Sequence, residues 1–190
     1  VQLHTEGEAL YTKAPYNKAF EVISCFVGGN VRDSINSERG SYIPVFLSEV
    51  GNLFDQQIVP LDVALVNVSL PDKHGYCSLG VSVDVTLAAL RSAKTVVAQI
   101  NDQVPRSHGD GIIHTSQIDY AVEVSQPIFT HEPKKPNEIE SKIGENIAEM
   151  VEDGATLQLG IGAIPNAVLS QLNHHKGLGI HTEMFADGIL

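Results

Sequence analysis

The sequence predicts an α/β protein with a mainly parallel sheet flanked by helices. Three observations carry that class. Two runs, Asp62 to Val68 (DVALVNV) and Thr95 to Ile100 (TVVAQI), are short, β-branched and almost wholly apolar, the pattern of strands in a buried parallel sheet. Segments of helical spacing alternate with strand candidates along the whole chain. Near the C-terminal end a strand-like run, Thr156 to Leu159, passes through Gly160-Ile161-Gly162 into a helical pattern.

Taken in order, Glu21 to Val27 reads as a strand, and Asn30 as the cap of a short helix through Ile35. Tyr42 to Leu47 reads as an edge or bent strand because Pro44 removes a donor. Ser48-Glu49-Val50 opens a short helix over Leu53 and Phe54. The stretch from Pro71 to Gly75 has turn composition, and Tyr76 to Val81 returns as a strand. Ser82 or Asp84 is the expected cap of a helix reaching Ala93. Two short apolar runs fall within 112–125. Three prolines in 125–136 mark a linker, and Asn137 with Glu140 forms a capping pair. Ile139, Ile143, Ile147 and Val151 then recur every four residues, which predicts an amphipathic helix ending at Gly154 with this stripe as its apolar face.

The glycine turn is the most informative stretch. Glycine permits a close backbone approach, and Pro165 suits the first position of a helix. Ala167, Val168 and Leu172 continue that helix, and Lys176-Gly177 stops it. A second strand, Leu178 to Thr182, delivers Glu183. Ligands of open α/β sheets bind beyond the carboxyl ends of the strands, and a helix N-terminus favours anions. Gly160–Ile164 and Glu183 therefore suggest an anion cradle beside a carboxylate nucleophile. Each has a plainer reading: most glycine turns are only tight connections, and most strand-end glutamates are solvated surface residues.

Composition excludes several classes. The chain has 190 residues, 43% of them hydrophobic and 18% charged, so it can bury one good-sized core or two small ones. Its formal net charge of −11, from 12 Lys+Arg against 23 Asp+Glu, argues against nucleic acid or an anionic membrane surface as partner. Apart from Lys134-Lys135 the cations are scattered. No run approaches the ~20 apolar residues of a spanning helix. Cys25 and Cys77 form no CxxC and fit a reducing, cytoplasmic setting as small buried residues. Eight histidines include no HxxxH or HExxH spacing, so no metal site is expected. Gly80-Val81-Ser82-Val83-Asp84 only superficially resembles a nucleophile elbow, since its last position is not glycine. Gln99, Asn101, Asp102 and Gln103 follow a strand and either line a cleft or tie down a loop; Glu38 to Ser41 reads as a surface turn, with contact to a ligand as the alternative.

Five stretches together resemble the acetyl-CoA hydrolase/transferase family, and within it the 4-hydroxybutyrate CoA-transferase branch. They are LQLGIGAIPNAVLSQL, LGIHTEMFADG, AQINDQVPRSHGDGIIHTSQID, PDKHGYCSLGVSVD and RGSYIPVFLSEV. The resemblance runs from end to end and implies a NagB/RpiA/CoA-transferase-like fold of two domains. Residues 1–126 would be the N-terminal CoA-transferase domain lacking its first strands, 127–136 the linker, and 137–190 the truncated start of the second. The chain is then expected to be an internal piece of a longer protein and inactive alone. The resemblance implies ping-pong transfer of coenzyme A between an acyl-CoA and a small carboxylate (acetate, butyrate or 4-hydroxybutyrate) through a glutamyl-CoA thioester. The glutamate of the family's (H/Y)-(S/T)-E motif falls on Glu183, and the CoA-contacting turn on Gly160, Ile161, Gly162, Ala163 and Ile164. Gln158 is a weaker candidate for the acyl carbonyl or for Glu183. Coenzyme A would be a substrate, with no tightly bound cofactor. The full-length parent is expected to be a homo-oligomer, cytoplasmic or, in a eukaryote, in the mitochondrial matrix. Net acyl-CoA hydrolysis, a non-catalytic anion-binding module and a sugar-phosphate isomerase are the alternatives.

Overall fold

The computed structural model describes residues 1–131 and 135–190; residues 132–134 of the expected linker, including Lys134, lie outside the described residues. The chain divides into two compact units, Val1–Phe129 and Thr130–Leu190. Both are α/β, and among the described residues all sheet pairing except one antiparallel pair is parallel.

In the first unit β1 (Val22–Ser24) pairs in parallel with β2 (Gly40–Tyr42) across α1 (Arg32–Asn36). Asn30 does not cap α1: its Nδ2 donates to the Thr5 and Gly7 carbonyls, 2.7 and 3.1 Å away, and so holds down the N-terminal loop. The strand expected over 42–47 starts earlier and stops at Tyr42, before Pro44 would interrupt the ladder. α2 (Leu47–Asp55) packs on α3 (Thr86–Ser92) through Val50, Phe54 and Ala88. Neither Ser82 nor Asp84 is the cap residue of α3; Ser82 Oγ donates to Asp84 instead.

The main sheet runs β3 (Val63–Val68), β5 (Thr95–Asn101), β7 (Tyr120–Val124), all parallel. One face, Val66, Val68, Val96, Ala98 and Ile100, builds a core with β4 (Tyr76–Ser78) and β6 (Ile112–His114), which pair antiparallel through Cys77 and Ile113. β3 is therefore not buried on both sides. Within this unit Leu65 on its other face is 79% exposed, because residues two apart share a face and only one face meets this core. Asn101 is 1% exposed and clamps the chain after β7: it accepts from Gln126 N and donates to Gln126 O, at 3.1 and 2.8 Å. The polar stretch at the end of β5 thus ties down a loop.

Asp72 organises the turn before β4. Its Oδ1 accepts from the N–H groups of Tyr76 and His74, each at 2.9 Å, and its Oδ2 accepts from Arg106 at 3.0 Å. The Tyr76 N–H first, then that of His74 and the Arg106 guanidinium, hold this carboxyl below its ordinary value. A carboxyl depressed in the folded state contributes stability above its unfolded pKa and loses it as pH falls through the folded one. Asp72→Ala is expected to melt below wild type at neutral pH. The gap should close as the pH drops below the ordinary aspartate range. Parallel melting curves at all pH values would contradict this.

In the second unit α4 (Glu138–Ala148) begins at the expected capping box: Glu140 N donates to Asn137 Oδ1 at 2.9 Å and Asn137 N to Glu140 Oε2 at 2.7 Å. Its buried face is not the isoleucine stripe. Gly144 and Ala148 are buried, whereas Ile139 is 73% exposed within this unit. A Cβ on Gly144 would come within 2.7 Å of the Ala167 carbonyl carbon, so glycine is what lets α4 approach α5 (Ala163–Gln171). Ala148, Leu159, Val168, Leu169 and Leu172 form the core, with Val151, Leu157, Leu178 and Ile189 against it.

Candidate functional site

β8 (Thr156–Leu157) and β9 (Gly179–Ile180) pair in parallel, with Thr156 opposite Gly179 and Leu157 opposite Ile180. Parallel strands have their carboxyl ends together. The chain leaves β8 through Gln158 and Leu159 into Gly160, and leaves β9 through His181 and Thr182 into Glu183. His181 N donates to Leu157 O at 2.9 Å, extending the ladder one step past the strands. Thr182 Oγ1 then accepts from Leu159 N at 3.0 Å and donates to Leu159 O at 2.8 Å. The structure thus brings the glycine turn and Glu183 to one end of one strand pair, fastened by a threonine that sequence reading passed over. The signal for Thr182 was its place as the S/T position of the (H/Y)-(S/T)-E motif, immediately before Glu183.

Gly162 is the residue before α5, at φ +118° and ψ −174°, a conformation that L side chains rarely adopt. Its missing side chain answers a backbone requirement, since a Cβ there would meet nothing within 4 Å. The helix starts at Ala163, so Pro165 is its third residue and not its first. Proline is tolerated there because the N–H it lacks would have had no intrahelical acceptor. Asn166 N closes the first helical bond, to Gly162 O at 3.1 Å. No side chain caps this end, which leaves the N–H groups of Ala163 and Ile164 as first-turn donors with the positive end of the helix dipole.

The candidate residues are open to solvent within this unit: Gln158, Gly160, Ile161, Gly162, Ile164 and Glu183 are exposed and Ala163 is half-buried. The adjacent histidines lie at the other end of α5; His175 Nε2 reaches the Val151 carbonyl at 3.0 Å, a structural bond. Among the described residues no three or more His, Cys, Asp or Glu side chains gather as a metal site would need. Among the described residues no helix is long and apolar enough to cross a membrane either.

Comparison with known proteins places the chain in a family. The model of the acetyl-CoA hydrolase/transferase N-terminal domain matches residues 3–130. The 4-hydroxybutyrate coenzyme A transferase of Clostridium kluyveri is 51% identical over 100% of this chain, which covers 44% of that protein. The succinyl-CoA:acetate/propanoyl-CoA:succinate CoA transferase of Fasciola hepatica is 53% identical over 99% of the chain and 39% of its own length. The chain therefore spans less than half of each of these relatives. Among solved structures, 4-hydroxybutyrate CoA-transferase from Porphyromonas gingivalis superposes with a TM-score of 0.75 at 41% identity, over 92% of this chain and 48% of that one. RipA from Yersinia pestis gives 0.85 at 32% identity, over 94% of this chain and 43% of that one. With its family model matched over most of its length and its fold shared with these structures, the chain belongs to the acetyl-CoA hydrolase/transferase family.

Proposed function

We propose that these residues carry the glutamate side of a coenzyme A transferase site, and that the protein of the relatives' length moves CoA between an acyl-CoA and a small carboxylate. The parallel pairing of β8 with β9 carries the reading, because it lets Glu183 and the 160–164 turn leave the same end of one sheet. The transfers named for the relatives support it, and they suggest 4-hydroxybutyrate, acetate, butyrate or succinate as the carboxylate.

Glu183 attacks the thioester carbonyl of the acyl-CoA; the C–S bond breaks, giving an acyl-glutamyl anhydride and CoA thiolate. The thiolate attacks the glutamyl carbonyl of the anhydride and expels the free carboxylate, leaving a glutamyl-CoA thioester. The acceptor carboxylate repeats the two steps in reverse and restores Glu183. One negative charge passes from carboxylate to thiolate and back, so no proton must be supplied. The developing oxyanion needs donors, and the Ala163 and Ile164 N–H groups at the start of α5 are the ones available on this side, each such donor worth roughly 3–4 kcal/mol in comparable sites. Gln158, one strand end away, is proposed to contact the acyl carbonyl. Coenzyme A enters as substrate, with no resident cofactor, and the working protein is proposed to be a homo-oligomer with two CoA-transferase domains joined near 127–136. Cys25 and Cys77 are free and buried, and burial raises both thiol pKa values, as suits inert structural cysteines.

The test is incubation of the protein of the relatives' length with butyryl-CoA, followed by peptide mass spectrometry. A CoA adduct on the peptide containing Glu183 is expected, and an adduct on another residue or none would remove the reading. Thiol release in buffer without an acceptor acid, at the rate seen with acetate, would identify hydrolysis instead. Gly162→Val is expected to impair turnover more than folding: the backbone strain costs about 1–3 kcal/mol, while any relaxation of it re-aims the donors. If the variant keeps full turnover, the turn is only a connection.

A further inference from the structure

On the reading that Glu183 is the covalent carrier, we infer that Thr182 is the residue that positions it, by taking over the last rung of the β8–β9 ladder. In a regular parallel ladder the bonds alternate along the two strands. After Gly179 N to Ala155 O and His181 N to Leu157 O, the next two bonds would fall on Leu159. Its N–H would go to the His181 carbonyl, and its carbonyl would accept from the Glu183 N–H. Both positions are filled by one atom: Thr182 Oγ1 accepts from Leu159 N at 3.0 Å and donates to Leu159 O at 2.8 Å.

Two consequences follow. The Glu183 peptide is released from pairing with Leu159, so the main chain turns out of the sheet at the residue that bears the carboxylate. The threonine one residue earlier meanwhile stays bonded to the residue that precedes Gly160, so the glutamate and the glycine turn are held at a fixed separation through a single residue. A hydroxyl suits the task because one atom both donates and accepts. Valine has the same shape and does neither, and serine does both.

The experiment uses the protein of the relatives' length with acetyl-CoA as donor and butyrate as acceptor. Thr182→Val is expected to lower kcat by about 100-fold, the effect of a carrier displaced by about an ångström, with KM for acetyl-CoA little changed. Single-turnover formation of the CoA adduct on the Glu183 peptide should slow by the same factor, and Thr182→Ser should restore both. Wild-type adduct formation in Thr182→Val overturns the inference, including when its melting temperature falls, since Thr182 would then be only a fastening. A serine variant that folds but is as slow as the valine one also overturns it. If the valine variant does not fold, Thr182→Cys, whose thiol is a weak donor and acceptor, replaces it under the same criteria. Full turnover in Glu183→Ala would instead remove the carrier reading, an outcome separate from any result at Thr182.

Discussion

Glu183→Ala is expected to abolish the CoA adduct and to lower transfer by about five orders of magnitude or more. A carboxylate is a poor nucleophile, and its usefulness lies in being held where the thioester carbonyl arrives. Such positioning is worth roughly 7–11 kcal/mol of barrier, and each ~1.4 kcal/mol is a factor of ten in rate. A carboxylate from solution cannot replace it at millimolar concentration. Glu183→Asp keeps the charge but withdraws it by one methylene, so it should retain adduct formation at a much reduced rate. Glu183→Gln should behave like alanine at first, since an amide does not attack a thioester at a useful rate. The measurement is the time course of transfer from acetyl-CoA to butyrate, alongside peptide mass spectrometry. Transfer within tenfold of wild type in Glu183→Ala would sink the assignment.

Gly144→Val is expected to destabilise the second unit strongly. A Cβ at position 144 would lie 2.7 Å from the Ala167 carbonyl carbon, 2.8 Å from its oxygen and 3.0 Å from its Cβ. Two of these three are main-chain atoms of α5, which cannot swing aside as a side-chain tip would. Replacing a helical glycine by alanine returns about 1 kcal/mol, and the β-branched valine returns only part of that. Overpacking a tight contact costs about 1–3 kcal/mol or more, and valine adds two further carbons, so a net loss of about 2–3 kcal/mol is expected. The urea midpoint of the chain measures it. Ile139→Ala supplies the contrast: its side chain is 73% exposed in this unit, and such surface changes stay within about 0.5 kcal/mol. If the isoleucine change costs more than the glycine one, the packing described for α4 is wrong.

Those two positions on one helix show where the sequence stops being legible. Ile139, Ile143, Ile147 and Val151 form the more apolar stripe, and hydrophobic periodicity selects them. α4 buries Gly144 and Ala148 instead, and of that stripe it is Val151, past the end of the helix, that packs against the core. Periodicity reports which face is apolar, whereas burial here depends on how near α5 can come, and small residues permit the nearer approach. β3 gives the same lesson. Its run of valine, alanine and leucine reads as buried on both faces, but only Ala64, Val66 and Val68 meet a core in this unit. Pro165 suits any of the first helical positions, and the backbone of Gly162, not the proline, decided that the helix starts at Ala163.

By itself the sequence determined what depends on neighbours in the chain. That includes the alternation of strands and helices, the Asn137–Glu140 capping box, the turn at Asp72, the glycine turn before a helix, and the motifs that identify the family. Each is set by backbone preference or by hydrogen bonds spanning a few residues, so its signal is written locally. The tertiary structure alone decided which faces are covered, that Asn30 and Asn101 hold loops, and that Thr182 reaches across 23 residues of sequence to Leu159. Such contacts come from elements folded against each other, and no spacing within one element encodes the partner that will meet it.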